Sequence, residues 1–423
     1  AGHMLALAAP TLWHPTSTFL QRSDDYFVQS VQKRFACGIY CHLMSHDGAR
    51  TPGTLLSRLP LYVGGFMGPF GTVVIVPMFP ELREEFDASS SAVSLGFSLY
   101  LLPFAALLLV SGTLGERWGR RRTVRGTYLL YAAASIGCAL APNLTVFILA
   151  RAMQGVANAF ITPLLLAGLA ETVPADRFGR QVGIYSSFQA FGGGLGPIIG
   201  GVAADTSWRY AFWGTMLVSL VLALAPPQGE ARRDAEAPRL RPLLTRRMVA
   251  LGVAFLFAAA GPIGISVLVG VAARDVLDLS GTATGIVLFG GAMSALVLGP
   301  TWGRLLDSVG TRKLGLIAAA TATLLAGVPS FATSGWALGI MWIIASAAIS
   351  AVIVIFQALG ASIMPTNRGG ALSFLLAFRF PGHAIGPILF VPLIDWSVRG
   401  AFFMAAGLGL VTTVVIATFR EQD

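Results

Sequence analysis

An arginine and a histidine stand four residues apart in an apolar stretch near the carboxyl end of the chain: Arg379 and His383. Four residues is about one helical turn, so the two side chains would share one face of a helix. The arginine stays ionised at physiological pH, whereas histidine is the side chain whose ordinary pKa lies near neutrality. Such a pair could bind an anionic or neutral polar group, and the histidine could also exchange a proton.

A second arginine, Arg151, lies about seven residues inside another apolar stretch. An ionised arginine in hydrocarbon costs from about 3 to more than 10 kcal/mol, so its side chain must face protein or water. Two interpretations stay open: a structural centre that hydrogen-bonds backbone carbonyls, or a proton relay or substrate contact. Further candidate polar contacts, with ordinary interhelical hydrogen bonding as the alternative, are Gln154, Asn158, Gln189 and Gln357.

The composition indicates which elements must position these residues. Of 423 residues, 55% are hydrophobic and only 12% are charged, against about 25% charged in an average soluble domain. This excludes an ordinary cytosolic globule, because a soluble surface of this size needs more charge, whereas a lipid-facing surface does not. The three cysteines are too few for a disulfide framework, and no redox chemistry is indicated.

Twelve long apolar runs predict an all-α integral membrane protein. The longest polar break, 227–247, divides them six and six, which predicts two six-helix halves. The predicted spans are 61–80, 91–112, 125–142, 144–169, 182–204, 209–226, 248–272, 281–302, 314–333, 335–361, 371–394 and 400–419.

The basic residues are unevenly distributed between the predicted loops. With an inner amino terminus, the inner loops hold seventeen arginines and lysines, and the outer loops hold only four beside eight acidic residues. This is a strong positive-inside signal. It predicts that both termini are cytoplasmic in a plasma (inner) membrane, and it accounts for the net charge of +9 without a nucleic-acid partner.

The segment before the first span is polar, unpatterned and without the apolar core of a signal peptide. Its cysteines and histidines at 37, 41, 42 and 46 could be drawn as a zinc set, but the spacing is unusual, and an unstructured extension is favoured. The predicted domains are an extension 1–60, bundles 61–226 and 248–419, a cytoplasmic linker 227–247 and a tail 420–423.

An internal repeat relates the two halves with a nearly constant shift. The same repeat pairs Arg379 with Gln189, so one half carries a charge where the other carries an amide. Ordered parallel repeats are typical of transporters that rock two halves around a site near the midplane. The matching landmarks are 68–71 with 261–264 at a shift of 193, 112–119 with 303–310 and 174–177 with 365–368 at 191, and 196–198 with 386–388 at 190.

Three motifs in this order resemble the major facilitator superfamily, and within it the twelve-span drug/proton antiporters. The run from Gly112 to Arg122 resembles the superfamily's inner-loop signature, with Glu116 where aspartate is usual, and 303–313 is similar to its degraded second copy. The run 151–155 resembles the intramembrane arginine motif, and 194–201 resembles the motif associated with exporters. The resemblance covers about residues 61–419.

The resemblance implies two conformational elements. The first is a latch in which the inner-loop charges pair with helix ends and with one another. The second is a smooth glycine face that slides on span 281–302. The predicted latch residues are Gly112, Glu116, Arg117, Gly119, Arg120, Asp307 and Arg312, and the predicted face consists of Gly192, Gly196 and Gly200, one turn apart, with a kink at Pro197.

The predicted function is secondary active transport by alternating access, most simply proton-coupled export of small amphipathic compounds. All 20 carboxylates fall outside the apolar spans, whereas the antiporters it resembles often carry a buried acid, so neutral or anionic substrates are favoured. The alternatives are a metabolite importer or facilitator and a non-transporting receptor. No nucleophile–base pair or phosphate loop indicates an enzyme. The expected partners are a small-molecule substrate, protons and the lipid bilayer, for a monomer without cofactor or metal.

Overall fold

The computed structural model describes residues 55–229, 231, 241–365 and 367–418, except for the side chains at 55–57, 175, 176 and 312. Most of the predicted extension, including its cysteine–histidine set, part of the linker, the tail and the side chain of Arg312 lie outside this range. The described residues form fourteen α-helices and no strand: α1 Leu55–Val73, α2 Phe79–Phe86, α3 Ser90–Trp118, α4 Arg120–Ala139, α5 Leu144–Thr172, α6 Ala175–Ala204, α7 Arg209–Leu224, α8 Arg246–Ala260, α9 Ile265–Val271, α10 Gly281–Val309, α11 Thr311–Ala326, α12 Gly335–Ile363, α13 Arg368–Phe390 and α14 Val398–Thr418.

Within these described residues, nine helical segments are long and apolar enough to cross a membrane. The all-helical membrane fold is therefore confirmed. The predicted spans 125–142, 182–204 and 209–226 are helical as α4, α6 and α7 but are not among the nine. The last of them has only 16 residues, and α4 begins with three arginines. The count of twelve crossings stays a prediction.

At least six of the fourteen helices start at a side chain that caps the first free backbone amides. At the start of α3, Ser89 Oγ accepts the Ala92 N–H at 3.2 Å, and at the start of α5, Asn143 Oδ1 accepts the Val146 N–H at 3.0 Å. Such caps satisfy donors that have no partner inside the helix. The same arrangement starts α8, α10, α12 and α13 at Thr245, Ser280, Ser334 and Asn367.

The first and seventh predicted spans are not continuous helices, as the sequence analysis assumed. The helix α1 starts at Leu55, inside the predicted extension, and ends at Val73; a 3₁₀ turn at Val76–Met78 then leads into α2. The helix α8 ends at Ala260, before a 3₁₀ turn at Pro262–Gly264. Each turn contains a proline, which has no N–H to donate to a continuing α-helix. The breaks leave carbonyls free for other donors.

The predicted inner loop from Gly112 to Arg122 is almost entirely helical, which corrects the sequence interpretation. The helix α3 continues to Trp118 and α4 starts at Arg120, so the turn between them is a single glycine, Gly119, with φ of +93°. The equivalent residue of the repeat, Gly310, has φ of +89° between α10 and α11. Residues with a side chain rarely adopt positive φ, so the repeat extends to this backbone geometry.

The helices of the two predicted halves meet mainly along two pairs, α3 with α13 and α6 with α10. Within the halves, α3 packs on α5, α1 on α6, α8 on α13 and α10 on α12. We call the end of the molecule that carries α2 and the turn before α10 the acidic end. The opposite end, with the turns at Gly119 and Gly310, is the arginine-rich end.

Candidate functional site

Aromatic and basic side chains face each other where α3 packs on α13. The ring of His383 lies edge-on to Phe97 with 5.3 Å between centroids, and Phe380 lies edge-on to Phe104 at 4.8 Å. A hydrogen bond also joins the two helices directly: Ser98 Oγ of α3 donates to the Ala384 carbonyl of α13 at 2.7 Å. We call Phe97, Phe104, Arg379, Phe380 and His383 the α3–α13 site.

The two basic residues of the α3–α13 site have polar atoms without partners. The Nε of Arg379 and the Nε2 of His383 are buried and make no hydrogen bond within the described ranges. Positions 378, 382 and 386 of α13 instead face α8, because a Cβ at Gly382 would meet the Leu256 carbonyl. Arg379 shares the face of His383, towards α3. Unpartnered buried polar atoms are costly, and the Arg379 guanidinium can only donate, so this pair suits a ligand that supplies acceptors.

Arg151 is fully buried and bonded inside the amino-terminal half. Its Nη2 donates to the Gly71 carbonyl at 2.7 Å and its Nε to the Gly96 carbonyl at 3.1 Å, while its guanidinium lies 4.5 Å from the centre of the Tyr100 ring. Gly71 is within the last turn of α1, where helical carbonyls lack an internal donor. The arginine therefore supplies a hydrogen-bond donor to a carbonyl that the break in the first span leaves without one.

The other candidate polar residues lie at different depths. Gln154 is buried, accepts Arg151 Nη1 at 2.7 Å and donates to Ser135 Oγ at 2.9 Å. Asn158 is buried against Gly68, and its Oδ1 has no partner among the described residues. Gln189 is half-buried on α6 and Gln357 is exposed on α12. The structure thus joins Arg151 with Gln154 in one network inside the amino-terminal half.

The arginine-rich end contains a buried ion-pair cluster around Arg120. Its Nη1 and Nη2 donate to both carboxylate oxygens of Glu171 at 2.7 and 2.9 Å, and its Nε donates to Glu116 Oε1 at 2.7 Å. Its Nη1 also reaches the Gln228 carbonyl at 3.2 Å. These groups all precede α8, so the cluster fastens the start of the linker to the amino-terminal half.

Of the remaining latch residues, Gly112 faces Pro163 of α5 and Arg117 is exposed in the last turn of α3. Asp307 is exposed on α10. Sequence reasoning missed Glu171, because the motif that carries the resemblance ends well before it in the chain. The available signal was the position of Glu171 near the end of α5, at the same end of the molecule as the arginine run.

At the acidic end, ion pairs join the two halves. Arg83 donates through both Nη atoms to Asp275 at 3.0 and 3.1 Å, and Arg274 pairs with Glu81. The partners are 192 and 193 residues apart, which matches the shift of the repeat in this region. Equivalent positions of the two halves therefore meet with opposite charges. We call these four residues the acidic-end lock, which the sequence analysis counted only as loop charges.

Asp205 adds a second contact between the halves at the acidic end. Its two carboxylate oxygens accept the backbone N–H groups of Gly281 and Thr282, the first residues of α10, at 2.7 and 2.8 Å. Burial tends to raise the pKa of Asp205, but hydrogen bonds from Thr282 and Gly281 outweigh it and hold the pKa below its usual value. A carboxylate at a helix amino terminus is favoured by the free amides and the helix dipole.

The glycine face of α6 packs on a different helix from the one expected. A Cβ at Gly192 would lie 2.2 Å from the Phe66 carbonyl, and one at Gly200 would lie 2.0 Å from the Val74 carbonyl. Gly196 also faces this segment of the first span. The expectation that this face slides on span 281–302 is therefore wrong, because spacing shows which residues share a face but not what covers it.

The partner α10 instead packs on the neighbouring face of α6. A Cβ at Gly285 would lie 2.4 Å from the Pro197 carbonyl, and one at Gly201 would lie 2.0 Å from the Gly281 carbonyl. Near the arginine-rich end, a Cβ at Gly183 or Gly299 would meet nothing within 4 Å. The close approach between α6 and α10 therefore belongs to the acidic-end part of both helices.

We expect Gly285→Val to prevent this close approach. Overpacking costs roughly 1–3 kcal/mol, which corresponds to about a fivefold to 150-fold shift away from closure at the acidic end. The measurement is labelling of Thr284→Cys, a buried position, by an impermeant maleimide in a background without other cysteines. Gly299→Val on the same helix is the control and should leave labelling unchanged. Equal labelling in both variants would contradict the prediction.

Comparison with known proteins matches this sequence to one protein family and to several of its members. The family model described as Major Facilitator Superfamily matches residues 61–295. The MFS antiporter QDR3 of Candida albicans is 32% identical over 210 residues, 48% of this chain and 30% of that protein. The uncharacterized MFS-type transporter EfpA of Mycobacterium tuberculosis is 32% identical over 152 residues, 36% of this chain and 28% of that protein. The matched part is less than a third of either relative's length.

Solved structures share the fold at low sequence identity. A D-xylose-proton symporter superposes with a TM-score of 0.70 at 17% identity, over 87% of this chain and 98% of that chain. A bacterial homologue of the human lysosomal transporter Spinster, in an inward-facing and unoccupied conformation, superposes with a TM-score of 0.66 at 18% identity, over 86% and 95% of the two chains. Identities of this size indicate a shared fold.

Proposed function

Because the chain belongs to the Major Facilitator Superfamily, a family of membrane transporters, we propose that it is a proton-coupled exporter of small amphipathic compounds. In this proposal, it works by alternating access in an inner membrane, with the arginine-rich end cytoplasmic. Its substrates are neutral or anionic. The observation that carries the substrate preference is the α3–α13 site, which offers unpartnered basic atoms between aromatic rings.

The charge of the site supports anions over cations. Arg379 makes no ion pair within the described ranges, and its guanidinium lies 5.7 Å from the centre of the Phe380 ring. An arginine guanidinium forms two parallel hydrogen bonds with a carboxylate or a phosphate. The aromatic rings offer apolar contact for the rest of the substrate. A cationic drug would need a carboxylate. The carboxylates that pair with arginines in the described residues lie near helix ends: Glu81, Glu85, Glu116, Glu171 and Asp275.

The contacts between the halves support a conformation closed at the acidic end. The acidic-end lock, Asp205 and the contact between Gly285 and α6 hold the halves together there. The missing neighbours at Gly183 and Gly299 support separation towards the arginine-rich end. With that end in the cytoplasm, this is the state in which a substrate enters from inside.

Counterflow of anionic, neutral and cationic amphipathic compounds in liposomes tests the proposal. We expect anions to be carried best by the wild-type protein, and Arg379→Gln to lower the anion rate about tenfold or more, because one charged hydrogen bond contributes about 1.5–3 kcal/mol. Neutral compounds should lose much less. Arg304→Gln, at an exposed position of α10 and with the same charge change, is the control.

The direction of the proton gradient separates export from its alternatives. Export coupled to proton entry should reverse when the gradient is reversed, whereas a facilitator should not respond to it. Efficient transport of cations without transport of anions would overturn the substrate proposal. Binding of these compounds without their transport would indicate a receptor and not a transporter.

A further inference from the structure

A cavity of about 500 Å³ lies at the arginine-rich end, away from the α3–α13 site and beside the Arg120 cluster. Its walls come from the last residue of α3, the first three turns of α4 and the start of the linker. The residues that matter are Trp118, Arg121, Arg122, Arg125, Gly126 and Leu129. Gly119, a predicted latch residue, also lines this cavity, but Arg121, Arg122 and Arg125 have no role in the proposed transport cycle.

The described residues that line the cavity carry three positive charges and no carboxylate. Arg121 and Arg122 are exposed and make no side-chain hydrogen bond or ion pair with a described residue. Arg125 Nε donates to the Ala223 carbonyl at 3.2 Å, which holds that guanidinium at the rim and leaves its other donors available. A positive-inside signal alone explains the presence of such arginines, but not a shared cavity with an aromatic wall.

The apolar surroundings place this cavity at the boundary between lipid and water. Trp118 is 56% exposed and Leu129 is 48% exposed, although both are large and apolar. Arg125 contacts the carboxyl end of α7, where Leu224 is 80% exposed. Exposed apolar residues on a transmembrane helix face acyl chains, and tryptophan is enriched at the membrane interface. The arginines therefore lie at the depth of the lipid headgroups.

We propose that this cavity binds the phosphate headgroup of an anionic glycerophospholipid from the leaflet at the arginine-rich end. Arginine forks bind phosphate oxygens in pairs, and basic pockets between transmembrane helices are suited to anionic headgroups. The acyl chains then lie along the exposed apolar surface of α4 and α7. The site is independent of the transported substrate and of the direction of transport.

Native mass spectrometry of the purified full chain with phosphatidylglycerol or phosphatidylcholine tests the site. We expect phosphatidylglycerol adducts to fall at least about tenfold when the three arginines are neutralised, because each basic residue near an anionic surface contributes about 1 kcal/mol. A control at exposed arginines of the same end carries the same charge change and should retain binding. The two sets are R121Q/R122Q/R125Q and R246Q/R247Q/R304Q.

A second pair of variants keeps every charge and changes only the space. A Cβ at Gly126 or at Gly214 of α7 would meet nothing within 4 Å, so both positions have room for a side chain to begin. Gly126→Phe should fill the cavity and lower phosphatidylglycerol binding, whereas Gly214→Phe should not. Equal loss in the two arginine sets, equal binding of phosphatidylcholine, or displacement of the lipid by inorganic phosphate would each overturn the proposal.

Discussion

Arg151→Leu is expected to destabilise the protein by at least about 3 kcal/mol. The substitution leaves the Gly71 carbonyl and Gln154 Oε1 buried without their donors, and each orphaned buried acceptor costs about 1–3 kcal/mol. It also removes a charged hydrogen bond to the Gly96 carbonyl, which keeps its helical partner inside α3. The measurement is the free energy of unfolding in detergent micelles, from a denaturant titration. The stability of Arg151→Lys should lie between those of the wild-type protein and Arg151→Leu. One ammonium group cannot reproduce the planar guanidinium, which reaches three acceptors on different elements.

The stability of Arg151→Leu also decides between the two interpretations that the sequence left open. Arg304→Leu is the matched control, since Arg304 is exposed on α10 and should lose little stability. A structural role predicts loss of stability together with loss of transport. A variant that unfolds like the wild type but no longer transports would instead place Arg151 in the proton or substrate pathway.

Glu81→Arg is expected to shift the protein away from closure at the acidic end by about fivefold to 150-fold. The substitution puts two arginines together where Glu81 now pairs with Arg274, whose side chains are only 24% and 12% exposed. The free energy that couples such a contact to a conformational equilibrium is typically about 1–3 kcal/mol, which corresponds to this range. Labelling of Thr284→Cys should rise, because it reports opening at that end. The transport rate should fall, because the transport cycle requires closure there.

The double variant E81R/R274E separates charge pairing from side-chain identity. It restores an ion pair of opposite direction, so we expect labelling and transport to return towards wild-type values. The control is Arg209→Glu, because Arg209 pairs with Glu85 inside the amino-terminal half, at 2.5 Å. Reversing that charge should leave labelling unchanged. No rescue in the double variant would show that the lock does not act through charge.

Hydropathy and loop charge are sufficient to predict the helical membrane fold, because both are consequences of the bilayer acting on every residue of a span. They do not predict where a span breaks. The interruption at 74–78 depends on Pro77 and on the donors that Arg151 supplies to free carbonyls. The helical continuation of α3 to Trp118 was also missed, because polar residues beyond the lipid favour a loop and a helix equally well in hydropathy.

The candidate site was predictable in part, for similar reasons. Periodicity places Arg379 and His383 on one face of a helix, but the partner of that face, α3, follows only from the fold. The glycines of α6 show the same limit, since their spacing fits any close neighbour. In contrast, the acidic-end lock could have been found from sequence: Glu81 and Arg274 occupy equivalent repeat positions with opposite charge.

That equivalence constrains the ancestry of the chain. Residues at matching places of two repeats approach each other only near the axis that relates them, so an unfused pair of identical halves would bring glutamate against glutamate there. Such a homodimer would repel itself at the end that is now fastened. The present complementarity requires two copies able to mutate independently, and hence became possible only after duplication had given each half its own codons.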